Sequence, residues 1–261
     1  MGLGEWRYGV RERRPAVEAG DGRRPWAVPA AMFAVVVAVV PLVPPLLSWS
    51  ARDAWAAALS FALFAVVVPA LVALAAPWRL IGLGAAAERL AQSRRRHPDL
   101  VRAAAVAVVA VATDVAWRTP YAVARLSHDR WLVVLEAATL IVTGTALWIE
   151  LVRSPPLSPR SPRPTRAAIA ACSMWSIWVL AYVLGMASAK PYAHYHLQLT
   201  GSASHAADSQ IATGILWFIA GCAYVPVVFS NLMLWLRSEE NPDEELHRLV
   251  AEERRRGRGG S

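Results

Sequence analysis

The stretch AWAAALSFALFAVVVPALVALAAP, residues 54–77, contains no charged side chain. A helix needs about 20 consecutive apolar residues to cross the hydrocarbon core of a bilayer, so this stretch predicts a membrane span. Five further stretches have a similar apolar character, at residues 26–49, 101–117, 131–152, 167–188 and 211–236. The sequence therefore predicts an all-α, polytopic membrane helix bundle with about six transmembrane helices.

The composition of the chain also favours a membrane protein. Hydrophobic residues make up 56% of the sequence, and the mean hydropathy is +0.35, whereas soluble domains are about 45–50% apolar. Tryptophans stand near the ends of most of the stretches, where indole rings meet the lipid headgroups. We divide the chain into a basic cytoplasmic tail at 1–25, a transmembrane domain at 26–237 and a charged cytoplasmic tail at 238–261.

The 27 basic residues are distributed unevenly between the two predicted sides of the membrane. Twenty-two lie in the N-terminal tail and in segments 78–102, 153–166 and 237–261. The other five, on the opposite side, are Arg52, Arg118, Arg125, Arg130 and Lys190. Because arginine-rich loops stay in the cytoplasm, both termini are predicted to be cytoplasmic, which requires an even number of spans.

Several function classes are disfavoured by the same features. A net charge of +8 on a soluble chain would favour nucleic-acid binding. Here the arginines flank apolar stretches and follow the topology, so we expect no nucleic-acid partner. No phosphate-binding glycine motif, zinc-protease helix or serine-nucleophile elbow occurs, and we do not predict an enzyme. Cys172 and Cys222 fall within apolar stretches and are predicted to be small buried residues.

Prolines interrupt several parts of the chain. Pro41, Pro44 and Pro45 in the first stretch and Pro69 in the second predict kinked helices, which membranes tolerate because neighbouring groups satisfy the freed carbonyls. The segment SPPLSPRSPRPT, residues 154–165, is proline-rich. It predicts a solvated cytoplasmic connector without helix or sheet.

Charged residues within the predicted spans are the first candidates for a functional site, because burying a charge in a bilayer is costly. Glu136 lies inside the fourth stretch, and Asp114 lies near the outer end of the third. Arg118 follows Asp114 by four residues, a spacing at which two side chains on one helix can pair. Two interpretations are open: a polar pocket for an ion, cofactor or partner, or a structural ion pair near the membrane surface.

Histidines on the outer side are the second candidates. In the segment KPYAHYH, residues 190–196, His194 and His196 are two residues apart, and in an extended chain both would face one way. His205 and Asp208 follow nearby. Such a set predicts a site for copper or zinc. Solvated or hydrogen-bonded histidines are the competing interpretation, since no fixed ligand spacing is met.

The order of several motifs resembles the CtaG family of cytochrome c oxidase assembly proteins, over roughly residues 54–237. DSQIATGILW at 208–217 is similar to the family's D-Q-Q-x-G-G-x-x-M-W, and PYAHY at 191–195 to its P-L-Y-x-x-Y. WRTP at 117–120 is similar to W-H-x-P, and the prolines at 69 and 77 to the P-x-L-x-x-x-x-x-P end of its second helix. The residues that match these motifs are Trp117, Pro120, Glu136, Tyr192, Asp208, Gln210 and Trp217.

The chain departs from the family pattern at the intramembrane histidines. The family's H-M-x-x-H pair falls on Ala57 and Phe61 here, and the histidine of W-H-x-P falls on Arg118. An E-H pair in the fourth helix falls on Glu136 and Ala137. The resemblance therefore implies the family fold without its usual copper-binding histidines. Our hypothesis is that Arg118, opposite Glu136, replaces a bound cation with a fixed one.

The resemblance implies a non-enzymatic assembly or accessory factor for a haem-copper oxidase in the bacterial plasma membrane. Its partners would be the lipid bilayer and oxidase subunits, and any copper would be handled on the outer face. Two alternatives remain open from the sequence. One is a small multi-pass transporter, and the other is a metal-free membrane scaffold that binds respiratory subunits.

Overall fold

A computed structural model describes residues 27–79, 81–94, 99–126, 128–186 and 202–239. In these residues the regular structure is helical. We number nine α-helices in chain order: α1 (Ala27–Val39), α2 (Leu46–Ser50), α3 (Ala54–Ala75), α4 (Gly84–Arg94), α5 (Asp99–Trp117), α6 (Pro120–Leu126), α7 (Arg130–Leu151), α8 (Arg163–Met186) and α9 (Ser202–Glu239).

Five of these helices are long and apolar enough to cross a membrane, namely Ala54–Ala75, Leu100–Trp117, Arg130–Leu151, Arg163–Val183 and Ala207–Arg237. A shorter apolar helix, Ala27–Leu42, precedes them. The structure thus confirms the prediction of a polytopic membrane helix bundle. We call the end of the bundle at which α3 and α7 begin the outer end, following the predicted orientation.

The first predicted span is shorter than expected. We predicted one helix over residues 26–49, but α1 passes into a 3₁₀ turn at Val40–Leu42, and the separate short helix α2 follows. Pro41 lies within this turn, and Pro44 and Pro45 lie between the turn and α2. Since proline cannot donate a backbone hydrogen bond, three of them within five residues end the helix rather than merely bend it.

The second span accommodates its proline by a local change of helix type. Leu63–Val67 forms a π-helical turn, in which the Val68 N–H donates to the carbonyl of Leu63 five residues earlier. Pro69 lies just beyond this turn, and its ring would clash with a carbonyl four residues earlier in a regular α-helix. The predicted kink therefore appears as a π-bulge.

Helix α3 lies at the centre of the bundle. It packs against α1, α7 and α9, and 61% of its most apolar window is buried. Helices α8 and α9 form an extensive pair, and α7 also packs against α5. Only 11% of the corresponding window of α5 is buried, so α5 lies at the periphery.

The proline-rich connector is not solvated along its whole length, contrary to our prediction. Ser154, Leu157 and Ser161 are buried, and the Ser154 N–H donates to the Leu157 carbonyl at 3.1 Å. The Trp78 indole N–H donates to the Ser154 hydroxyl at 3.1 Å. Helix α8 begins within the predicted connector, at Arg163. The connector therefore packs against the inner end of the bundle.

Helix α4 is joined to the inner end of the bundle by buried charges. Arg94 donates to the Glu150 carboxylate at 2.6 Å, and Arg102 donates to both of its oxygens at 3.1 and 3.2 Å. The Glu150 side chain is only 3% exposed, so these hydrogen bonds compensate for the burial of its charge.

The prediction that Cys172 and Cys222 are buried was wrong, since both lie exposed on helix surfaces.

Candidate functional site

A cavity of about 300 Å³ opens between α3 and the turn that links α5 to α7. Eighteen residues line it: Pro41, Pro44, Leu47, Ser48, Ser50, Ala51, Arg52, Ala57, Ser60, Phe64, Arg118, Val123, Leu126, His128, Asp129, Arg130, Val133 and Glu136. Since α3 and α7 both begin beside it, the cavity belongs to the outer end. We call it the outer cavity.

The floor of the outer cavity is a buried ion pair. The Arg118 guanidinium donates to the Glu136 carboxylate, and both side chains are 6% exposed. The guanidinium carbon also lies 4.4 Å from the centroid of the Phe61 ring, a cation–π contact that covers its face. The ion pair is thus observed and lies at a cavity, and binding of a ligand in that cavity stays a prediction.

The partner of Arg118 differs from the one that spacing favoured. The spacing allowed a pair with Asp114 one turn earlier, whereas the structure pairs Arg118 with Glu136 on α7, the residue that our hypothesis placed opposite it. Helix α5 ends at Trp117, and the Arg118 N–H donates to the Val115 carbonyl only three residues earlier. This tighter turn takes Arg118 out of the α-helical register that four-residue spacing assumes.

A neutral hydrogen bond also joins the end of α5 to α7. The Trp117 indole N–H donates to the Thr139 hydroxyl at 2.8 Å. Pro120 occupies the first position of α6, where a missing N–H costs nothing. Both motif residues therefore help to shape the wall that carries Arg118.

The rim of the outer cavity carries exposed polar residues. Arg52, His128, Asp129 and Arg130 are all exposed. The Asp129 carboxylate accepts the Trp131 N–H at 2.9 Å and so caps the start of α7. The His128 Nδ1 lies 2.9 Å from the Ala124 carbonyl. Two arginines from different segments thus stand at the mouth of the cavity.

Asp208 has a structural partner beside the outer cavity. Its buried carboxylate accepts the Ala54 N–H at 2.8 Å and the Trp55 N–H at 3.0 Å. These are unpaired donors of the first turn of α3, so a side chain of α9 caps α3. Desolvation and the nearby Asp208 charge raise the pKa of Asp53 above its ordinary value, and Arg52 opposes this shift.

The other predicted site residues are placed only in part. His194, His196 and Tyr192 lie outside the described residues, as does the side chain of His205. Gln210 is exposed on α9. In the described part of the chain, no group of three His, Cys, Asp or Glu side chains is arranged to hold a metal ion.

Trp217 takes part in an aromatic contact between two helices. Its ring stacks on that of Trp178 with centroids 4.6 Å apart, and the Trp178 indole N–H donates to the Trp217 carbonyl at 3.2 Å. Trp217 is still 43% exposed. This motif residue therefore joins α8 to α9 at the surface of the bundle.

The residues of the outer cavity do not fit a copper ion. Copper prefers imidazole, thiolate and thioether ligands. The lining supplies one imidazole, that of His128 at the rim, and neither cysteine nor methionine. Ala57 stands in the wall, and Phe61 and Ala137 are buried nearby. Where the resemblance implies histidines, this chain has apolar side chains and the Arg118 cation.

Sequence reasoning missed one wall of this cavity. The segment from Pro41 to Arg52 supplies seven of the lining residues, four of them within the region where we predicted a continuous helix. The signal was present in the three closely spaced prolines of this segment, which end α1 and turn the chain toward α3.

The family to which the chain belongs follows from comparison with known proteins. The model of the cytochrome c oxidase caa3 assembly factors matches residues 6–238. No curated protein and no solved structure matches the chain. The match covers most of the chain, including every helix that lines the outer cavity. The chain is therefore a multi-pass membrane protein that belongs to the family of cytochrome c oxidase caa3 assembly factors.

Proposed function

We propose that the protein is an accessory factor for the assembly of a haem-copper oxidase and acts by binding oxidase subunits in the bacterial plasma membrane. Membership of the caa3 assembly factor family supports the role in assembly. The Arg118–Glu136 pair at the floor of the outer cavity is the observation that supports a scaffold role without copper in the membrane. It replaces metal chemistry with a permanent charge.

A fixed cation has different properties from a bound one. The guanidinium stays protonated at all physiological pH values and cannot dissociate from the protein. Its pairing with Glu136 and its contact with Phe61 hold it in one position. The shape of the outer end is therefore independent of the supply of copper. In this proposal the protein serves as a scaffold and does not carry copper within the membrane.

Deletion of the gene tests the proposed role. We expect loss of the haem a spectrum and of oxidase activity in the membranes, with normal transcripts for the oxidase subunits. Added copper should not restore either signal, because the scaffold and not the metal is missing. Normal oxidase activity in the deletion strain would contradict the role in assembly. Rescue by copper would contradict the metal-free mechanism.

Complementation of the deletion strain tests the ion pair. We expect Arg118→Ala to restore little oxidase activity, whereas Arg125→Ala should restore it fully. Arg125 is an exposed arginine on the same side that lies over the Tyr121 ring and does not line the cavity. Protein levels in the membrane must be compared, and co-purification with oxidase subunits should be retained by Arg125→Ala and lost by Arg118→Ala.

Copper on the outer face stays a separate prediction. His194, His196 and His205 were predicted to hold it, with Asp208 as a fourth ligand. The Asp208 carboxylate already accepts two backbone N–H groups, which favours a structural role for it. Copper measured in the purified protein, and in a variant with all three histidines changed to alanine, decides this point. Equal, substoichiometric copper in both would rule out the loop site.

A further inference from the structure

The outer cavity has a charge pattern that the proposed role in assembly does not require. Three of the five basic residues predicted on the outer side line this one cavity: Arg52, Arg118 and Arg130. Glu136 neutralises Arg118 at the floor. Asp129 offsets one charge at the rim, where its carboxylate caps α7. The lining as a whole keeps a net positive charge, located at the mouth.

The walls between the floor and the mouth are mostly apolar. They include the side chains of Pro41, Pro44, Leu47, Phe64, Val123, Leu126 and Val133. A cavity with apolar walls and a cationic mouth is complementary to an amphiphile, with its anionic group at the arginines and its hydrocarbon part inside or along the walls.

The mouth of the cavity lies at the level of the lipid headgroups. Arg130 is the first residue of the span Arg130–Leu151, and Arg52 lies shortly before the span Ala54–Ala75. Two neighbouring tryptophans have the exposure expected at this depth: Trp49 is 43% exposed and Trp131 is 81% exposed. A ligand that enters from the membrane surface would therefore meet the arginines with its headgroup.

We propose that the outer cavity binds the headgroup of an anionic phospholipid. Arg52 and Arg130 donate to the phosphate, and the apolar walls receive the first part of an acyl chain. Guanidinium groups suit this role because their planar array of donors matches phosphate oxygens. The volume of about 300 Å³ is at the lower end of the range for ligand pockets. It holds a headgroup and leaves most of the lipid in the bilayer.

Calorimetry with short-chain lipids tests the proposal on the purified full-length protein in a neutral detergent. Dihexanoylphosphatidylglycerol supplies the anionic headgroup, and dihexanoylphosphatidylcholine is the zwitterionic control. We expect saturable binding of the first, at least about tenfold tighter than that of the second. Inorganic phosphate is the third arm. If phosphate displaces the lipid completely at low millimolar concentration, the site is one for a free anion and the proposal is wrong.

Matched arginine variants locate the binding. We expect Arg52→Gln/Arg130→Gln to weaken binding of the anionic lipid at least about tenfold, because two charge-assisted contacts are lost. Arg125→Gln, outside the cavity on the same side, should bind as the wild type does. Equal affinity in the double variant, with an unchanged elution profile, would overturn the proposal. Lipid binding does not depend on the role in assembly, since the deletion phenotype is measured separately.

Discussion

Arg118 and Glu136 show how a single buried contact constrains the outer end of the molecule. Each side chain is 6% exposed, so both charges are almost fully withdrawn from solvent. Removing one partner of such a pair leaves the other charge uncompensated, which costs much more than replacing both by apolar groups of similar size. The measured stability should therefore distinguish a variant that removes one partner from a variant that replaces both.

We predict that Arg118→Ala lowers the free energy of unfolding by about 3–5 kcal/mol, because Glu136 is left buried and unpaired. The double change Arg118→Met/Glu136→Leu should recover most of this loss. Unfolding in detergent, followed by intrinsic tryptophan fluorescence, measures both. A single variant as stable as the wild type would show that water reaches the Glu136 carboxylate.

The residue pattern alone singled out Arg118 and Glu136, and only the family resemblance suggested that they lie opposite each other. A charge within an apolar stretch is conspicuous, which is why Glu136 and Arg118 were chosen. The four-residue spacing by itself favoured Asp114 as the partner, whereas the ion pair forms with Glu136. The pairing depends on where α5 ends and how the chain turns into α7, and that geometry arises from contacts distant in sequence.

At the scale of helices, Gly144 sets the distance between α7 and α3. A methyl group added at Gly144 would lie 2.7 Å from the Pro69 Cγ and 2.9 Å from the Ala65 carbonyl oxygen. The Ala65 carbonyl is the group that the ring of Pro69 displaces from regular α-helical bonding. The π-bulge of α3 and the glycine of α7 are thus complementary.

We predict that Gly144→Ala destabilises the protein by about 1–3 kcal/mol, because backbone and a rigid proline ring must move to admit the methyl group. Gly221→Ala is the matched control on another transmembrane helix, where the nearest contact is 3.9 Å from a Trp178 side-chain atom. Thermal midpoints in the same detergent compare the two. A loss of equal size in both variants would point to a general effect of glycine replacement.

The start of α3 gives a prediction about pH. Burial and the charge of Asp208 raise the pKa of Asp53, so protonation of Asp53 favours the folded state. This contribution is complete below its ordinary pKa of 3.8 and is lost as the pH rises through the raised value. Asp53→Asn should therefore raise the thermal midpoint at neutral pH and leave it unchanged well below pH 3.8. The same increase at both pH values would contradict this cause.

Helix positions were easier to predict than helix ends. Long apolar stretches gave α3, α5, α7, α8 and α9, because a bilayer imposes a minimum apolar length on any span. The residue at which a helix ends depends instead on local sequence and packing. The prolines after α1 shorten it, and the buried Leu157 draws the connector against the bundle. Neither effect follows from average hydropathy.

For the whole molecule, the distribution of basic residues is the feature that predicts orientation. Twenty-two of the 27 basic residues lie on one predicted side. On the inner side, Arg94 and Arg102 also have a packing role through Glu150. On the outer side, three of the five basic residues gather at one cavity. The few basic residues on the outer side therefore indicate the candidate site, whereas the many on the inner side indicate the orientation of the protein in the membrane.

The orientation itself is testable with two cysteine substitutions in a protein lacking Cys172 and Cys222. His128 at the rim of the outer cavity and Ser158 in the connector are both exposed. Because positively charged loops remain in the cytoplasm, His128→Cys should react with a membrane-impermeant maleimide in intact cells. Ser158→Cys should react only after the membrane is permeabilised. The reverse pattern would invert the molecule and place the outer cavity, with its arginine rim, on the cytoplasmic face.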